Sequence, residues 1–327
     1  MKNELAIDRE QALGLLRTML LVRSAELRLA RVFREVGLPG PVHLSIGQEG
    51  VAAGVCSELG DADQVVSTHR GHGHFLAKGG DINTLFAEIW GKRTGVCQGM
   101  GGSMHIADLK KGIIGANGIV GGGIAIATGA ALAARLDGRQ QVVVCFFGDG
   151  AANQGVLMES MNIASIWTLP IVFVCENNGV AEFTLSSTVT AGKLADRARP
   201  FMPTAEVDGN DTLAVIAATR ESICRARAGL GPGFIEAKTY RTYGHVEGED
   251  LFLGGGAYRT QAEVALWQTD ERDPISRFLR LVLDAALITD DDVAALEAEI
   301  GKAVEQAVAF AEGSESADTS LVFDLFA

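Results

Sequence analysis

Asp149 and Asn178 are the residues whose types and surroundings most directly suggest chemistry in this chain. Asp149 stands in Gly148-Asp149-Gly150 after an apolar run, residues 141–147. Asn178 closes Glu176-Asn177-Asn178 after a second apolar run, residues 171–175. Both runs read as buried strands. Between them Val156, Met161, Ala164 and Trp167 recur at helical spacing until Pro170 stops the pattern. The unit is strand, helix, strand, and such a crossover makes the two strands parallel.

Parallel strands end on one edge of a sheet, where open α/β proteins bind ligands, so a carboxylate and an amide oxygen distant in sequence can converge there. Hard oxygens suit magnesium, which takes about six of them and shares its shell with phosphates and water. Gly148 and Gly150 are read as letting the backbone turn sharply beside a phosphate, and the next helix offers free N–H groups at its start. A magnesium-bridged diphosphate is the ligand these features describe. Taken singly, Gly-Asp-Gly and Asn-Asn-Gly are common turns. The pairing of GDGAANQG after one strand with ENN at the end of the next is what separates this stretch from a turn.

Elements elsewhere must hold that edge in place. Asp8 caps an expected helix over residues 8–36 with Leu13, Leu16, Met19, Leu20, Ala25 and Leu29 as its apolar face. A loop-rich stretch to about Gly118 carries His43, His69, His72, His74 and His105. His72 and His74 are read either as shaping a site or as capping the loop. A glycine-rich helix follows at 121–135, whose Gly129, Ala130 and Ala133 would admit a close backbone contact with another subunit. Residues 181–200 are polar and can wrap the edge; a helix at 212–228 feeds an apolar strand at 233–237. KTYRTYGHVEGED, residues 238–250, and the following LFLGGGAYRT read as a mobile loop. Helices return from Pro274, with Thr289-Asp290 capping the last, and the apolar tail at 321–327 is expected to dock on this fold or a partner. No repeat or linker interrupts this order, so residues 1–327 are read as one domain with helical N- and C-terminal extensions.

Composition narrows the class. With 327 residues, 47% hydrophobic, the chain can bury a large α/β core. Its net charge of −13 argues against a nucleic-acid partner. The apolar stretch 119–134 is shorter than the ~20 residues a bilayer requires, so no membrane partner is expected. Five scattered cysteines, Cys56, Cys97, Cys145, Cys175 and Cys224, read as reduced thiols without metal spacing. Together with a start that lacks a secretion signal, they point to a cytoplasmic protein.

Seven stretches in order, HLSIGQEG at His43, THRGHGHFLAKG at Thr68, GMGGSMHIAD at Gly99, NGIVGGGIAIATGAA at Asn117, GDGAANQG at Gly148, ENN at Glu176 and YRTYGH at Tyr240, carry a family resemblance. The chain resembles the alpha subunits of thiamine-diphosphate-dependent dehydrogenases acting on pyruvate, branched-chain 2-oxo acids or acetoin. The resemblance implies the thiamine-diphosphate-binding α/β fold, its diphosphate-binding half, with a mostly parallel sheet and helices on both faces. It implies that Asp149, Asn178 and the backbone carbonyl of Val180 hold Mg2+, and that Gly148, Gly150 and Ala151 meet the diphosphate through backbone groups. Arg70 would grip a phosphate oxygen, with His69 beside it as a further cofactor-binding residue where many relatives place tyrosine. Gly118 and Val120 would face the aminopyrimidine ring. Arg241 and Arg259 would order the loop around His245 or neutralise the diphosphate.

His43 and His245 match two family histidines placed around the reacting carbon, where imidazole can donate to an oxyanion or shuttle a proton. Val246 follows His245 where some relatives carry a phosphorylatable serine, so that switch is expected to be lacking. The resemblance also implies a beta chain completing the active site in an assembly of two alpha and two beta subunits. The acyl product would pass to a lipoyl-bearing acyltransferase component. HRGHGH, GGSMHIAD and GHVEGED are most similar to acetoin dehydrogenase alpha chains, with pyruvate the second substrate, while 251–257 departs from the family's loop. A split transketolase-like ketol transferase and a non-catalytic regulatory homologue are the rival classes. The first would need a basic sugar-phosphate site and the second would show broken metal ligands.

Overall fold

Among the described residues eight strands form in chain order: β1 (Gln64–Val66), β2 (Ile113–Gly115), β3 (Val143–Gly148), β4 (Ile171–Asn177), β5 (Val180–Ala181), β6 (Thr184–Leu185), β7 (Thr204–Asp208) and β8 (Gly233–Lys238). The computed structural model describes residues 6–253 and 258–320. The apolar tail and most of the 251–257 departure therefore lie outside the described residues. Six strands make one sheet in the order β2-β1-β3-β4-β8-β7, and β5 pairs with β6 as a separate hairpin. All five pairings in the large sheet are parallel. The strand-helix-strand unit is present, with Phe147 opposite Cys175 and Gly148 opposite Glu176.

Both faces of the central strands are buried, and alternation assigns their side chains to two cores. Val144, Phe146, Val172 and Val174 join the core under the helices Arg9–Glu35, Glu49–Cys56, Thr212–Arg227 and Asp290–Gly313. Val143, Cys145, Phe147 and Phe173 join the core under the helices Gly122–Leu136 and Gly155–Ile166. This is the expected α/β layering, a parallel sheet with helices on both faces.

Local signals explain the helix ends. Asp8 accepts from Gln11 N at 2.9 Å while Gln11 Oε1 accepts from Asp8 N at 3.0 Å, a reciprocal cap of the first helix. Thr289 and Asp292 make the same arrangement at the start of Asp290–Gly313. These terminal helices meet: Leu15, Leu16 and Met19 share a core with Phe278, Val282 and Leu296.

Two expectations are corrected. The stretch before Gly118 is not mainly loop, since it contains β1, β2 and the helices Glu49–Cys56, His72–Ala77 and Ile82–Ile89. The expected mobile loop at 238–250 is pinned over much of its length: Thr242 N donates to Ile46 O at 3.0 Å and Glu247 N to Val42 O at 2.8 Å. Arg34 also reaches Glu247 at 2.6 Å.

Candidate active site

The strand order reverses between β1 and β3, which opens a crevice at the carboxyl ends of the sheet. Ser67, Thr68, His69 and Arg70 leave β1 there, Asp149 leaves β3, Asn178 leaves β4, and Arg241 and His245 follow β8. A cavity of about 440 Å³ occupies the crevice. Thirteen of the residues singled out in the sequence line it: His43, His69, Arg70, Gly118, Val120, Gly148, Asp149, Gly150, Ala151, Asn178, Val180, Arg241 and His245, while Arg259, His72 and His74 do not.

Asp149 is almost fully buried, and burial raises its carboxyl pKa against the opposing hydrogen bond from Ser186 Oγ. Ser186 follows the small hairpin, and with Ala181 and Glu182 in the cavity wall it brings the start of the polar stretch 181–200 to the site. The Asn178 amide is oriented at both ends, with Nδ2 donating to Gln48 Oε1 at 2.9 Å and Oδ1 accepting from Val180 N at 3.2 Å. A buried carboxylate and an oriented amide oxygen on one cavity wall form a donor set of the hard type that suits Mg2+.

The glycines serve differently from the sequence reading. Gly150 has φ −62°, which any residue adopts, and Gly148 is not among the glycines with positive φ. A Cβ on Gly150 would lie 2.7 Å from Ala181 Cβ, so what matters there is close approach. After Gly150 comes a short 3-10 turn, Ala151–Asn153, before the α-helix Gly155–Ile166 begins. The free N–H groups at the edge thus belong to this tight turn.

At the other end three imidazoles gather. The ring centroids of His43 and His69 are 4.8 Å apart, those of His43 and His245 4.9 Å, and those of His69 and His245 5.4 Å. Burial first, then the neighbouring Arg70 guanidinium, pushes His43 down to about 2, and His69 and His245 each to about 3. All three rings are therefore neutral near pH 7. Their ligating atoms lie within 4.8 Å of one another, but two guanidinium groups beside them oppose a cation there.

Arg70 donates from Nη1 to Leu44 O at 2.5 Å and from Nη2 to His245 O at 3.1 Å. Those nitrogens brace the histidine cluster. Burial and Arg241 pull Arg70 down to about 9. Arg241 reaches Tyr258 Oη at 2.9 Å, and Arg259 donates to the carbonyl of Arg241 and is not part of the cavity wall. Of the two readings for Arg259, loop ordering is the one its contacts match.

His72 and His74 sit inside a helix and cap nothing. His72 bonds Ser103 Oγ at 2.8 Å and Glu26 at 3.2 Å. His74 stacks on Phe146 with centroids 3.8 Å apart and bridges Ser67 Oγ at 2.7 Å and Glu176 at 3.3 Å. Sequence reasoning missed Gln48, Glu176 and Ser186, which touch or line the site, and Glu88 beneath it. The buried Glu88 carboxylate accepts from the backbone N–H groups of Cys97, Gly99, Gly101 and Gly102 at 2.7, 2.8, 2.7 and 3.1 Å, fixing the loop that delivers Met104 to the cavity. A charged residue within the apolar helix Ile82–Ile89, just before a glycine-rich loop, was the available signal.

Residues 17–320 match the family model described as dehydrogenase E1 component. The chain belongs to that family. Relatives include the alpha subunits of acetoin:2,6-dichlorophenolindophenol oxidoreductase from Bacillus subtilis, 46% identical over 98% of this chain and 95% of the relative, and from Cupriavidus necator, 44% identical over 93% and 90%. The pyruvate dehydrogenase E1 component subunit alpha of Rhizobium meliloti is 36% identical over 97% of this chain and 90% of its own. This E1 chain is a dehydrogenase alpha subunit, and dependence on thiamine diphosphate goes with the membership. Among its described residues no helix is long and apolar enough to cross a membrane.

Proposed function

We propose that this E1 alpha subunit, with a beta chain, cleaves the carbon–carbon bond next to the carbonyl of acetoin and passes the acyl group to a lipoyl acceptor. The observation that carries the choice of substrate is the higher identity to two acetoin oxidoreductase alpha subunits, 46% and 44%, than to a pyruvate dehydrogenase subunit at 36%. Pyruvate is the second reading. Thiamine diphosphate, when bound, supplies a carbon nucleophile and an electron sink.

The remaining work falls to the protein. Asp149, Asn178 and the carbonyl of Val180 would hold Mg2+, and the backbone at Gly148, Gly150 and Ala151 would meet the diphosphate. The buried carboxylate of Asp149, whose one side-chain partner among the described residues is a hydroxyl, suits that role. Gly118 and Val120 would face the ring system, Arg70 and Arg241 would meet the diphosphate, and His69 would stand beside them in the histidine cluster. His43 and His245 would polarise the substrate carbonyl and hold its developing charge.

The cavity wall includes Ile119 and Val120, which are 74% and 51% exposed in this single chain. Apolar side chains at the mouth of a polar site favour cover by a partner subunit, as an assembly of two alpha and two beta chains would provide. The presence of both Asp149 and Asn178 in the cavity wall argues against a regulatory homologue, in which the expected metal ligands would be broken. In the test, the chain is co-purified with its beta partner and assayed on acetoin, pyruvate and branched 2-oxo acids with an artificial electron acceptor. Acetoin should give the highest kcat/KM; a clear preference for pyruvate would overturn the assignment.

A further inference from the structure

Three imidazoles at one end of a cavity need not do the same thing, and their hydrogen bonds divide them. His245 Nδ1 faces Arg70 Nη2 at 3.5 Å and Arg241 Nη1 at 3.4 Å. Arginine can only donate, so Nδ1 must present its lone pair and the ring proton sits on Nε2. His245 is thereby a hydrogen-bond donor to whatever lies across from it. His43 Nδ1 is buried with no partner among the described residues. With Nδ1 closed off, His43 meets the cavity through Nε2. His69 is half-buried in the cavity wall, and none of its ring nitrogens is hydrogen-bonded to a described residue. No such contact commits its ring nitrogens, so its lone pair is free to accept.

The proposed reaction calls for such an acceptor. A 2-oxo acid loses carbon dioxide and needs no base to release it. A 2-hydroxyketone must lose the proton of its hydroxyl group as the bond to the carbonyl carbon breaks. We infer that His69 is the general base that removes this hydroxyl proton, so that it selects hydroxyketones over 2-oxo acids. The O–H electron pair becomes the second carbon–oxygen bond of the departing aldehyde. The pair of the broken carbon–carbon bond stays with the retained fragment, and the proton goes to the His69 ring. Arg70 and Arg241 keep the ring neutral beforehand, and the negative charge of a bound diphosphate would offset their field and raise its basicity.

This inference rests on acetoin being the substrate. His69→Ala in the complete assembly, carrying its beta partner, should lower kcat on acetoin by about 10²–10⁴-fold, the usual worth of a positioned base. Added imidazole should restore part of that rate, more strongly for substituted imidazoles of higher pKa. Pyruvate turnover, with no hydroxyl proton to lose, should gain nothing from imidazole. Cofactor affinity, followed by quenching of tryptophan fluorescence on adding thiamine diphosphate and Mg2+, should stay near wild type. Unchanged acetoin turnover, or a loss that imidazoles of any pKa leave untouched, overturns the role of His69 alone. A wild-type assembly inactive on acetoin overturns the substrate assignment and this inference together.

Discussion

Asn178 donates its amide N–H to Gln48 Oε1 at 2.9 Å, which turns Asn178 Oδ1 the other way, toward the backbone of Val180. The two residues are 130 positions apart, and Gln48 is itself almost fully buried. An outer partner of this kind sets which end of an amide is offered to a cation.

Gln48→Leu keeps the volume and removes that partner. Magnesium affinity in the presence of cofactor should fall by about 10–100-fold, the usual effect of losing an orienting contact. Calorimetric titration with Mg2+ checks it, and an unaltered dissociation constant would remove Gln48 from the site.

Asp149→Ala should abolish magnesium-dependent cofactor binding without unfolding the chain. Burial already disfavours this carboxylate, so the cofactor-free assembly should be no less stable by urea denaturation. Persistent Mg2+-dependent binding would falsify the metal role.

For His245→Ala, cofactor affinity should hold while kcat on the preferred substrate drops by about 10²–10⁴-fold, because a fixed donor to the reacting oxygen is lost. Rates equal to wild type would exclude it from the reaction.

Glu88→Ala leaves four backbone N–H groups near residues 97–102 without their carboxylate. Each orphaned donor costs about 1–3 kcal/mol, so the loop should open before the rest of the fold. Limited trypsin digestion at Lys92 and Arg93 should speed up, and equal digestion rates would contradict the strut.

The lowered histidines give a pH effect of definite sign. Each ring titrates near 6.5 when unfolded but at about 2 to 3 when folded. Between those values the unfolded chain binds more protons, so stability is full above about pH 6.5 and falls as pH drops toward 3. The urea midpoint of the cofactor-free assembly should be lower at pH 5 than at pH 7.5. His69→Phe should narrow that gap, and an identical gap would rule out a contribution from His69.

Several elements were legible because their signals are local. The Asp8 and Thr289 caps, the helix at Thr212–Arg227 and the β3–β4 unit all follow from neighbouring residues and one repeating period. β1 and β2 were not legible, since three residues such as Gln64–Val66 carry too little periodicity to stand out. Their pairing in the sheet rests on strands distant in the chain. Gly150 shows a related limit: a glycine can be required for a neighbour's approach as easily as for a turn, and Ala181, the neighbour concerned, lies 31 positions on.

By itself the sequence determined the parallel unit, the thirteen site candidates that line the cavity and the family. Each of these is written in residue type, order and short-range spacing. The tertiary structure alone decided that His43, His69 and His245 form one cluster, that Arg70 and Arg241 face Nδ1 of His245, and that Glu88 holds the loop that carries Met104. Those properties depend on distances between segments up to about two hundred residues apart, and in a packed interior such distances come from the whole set of contacts.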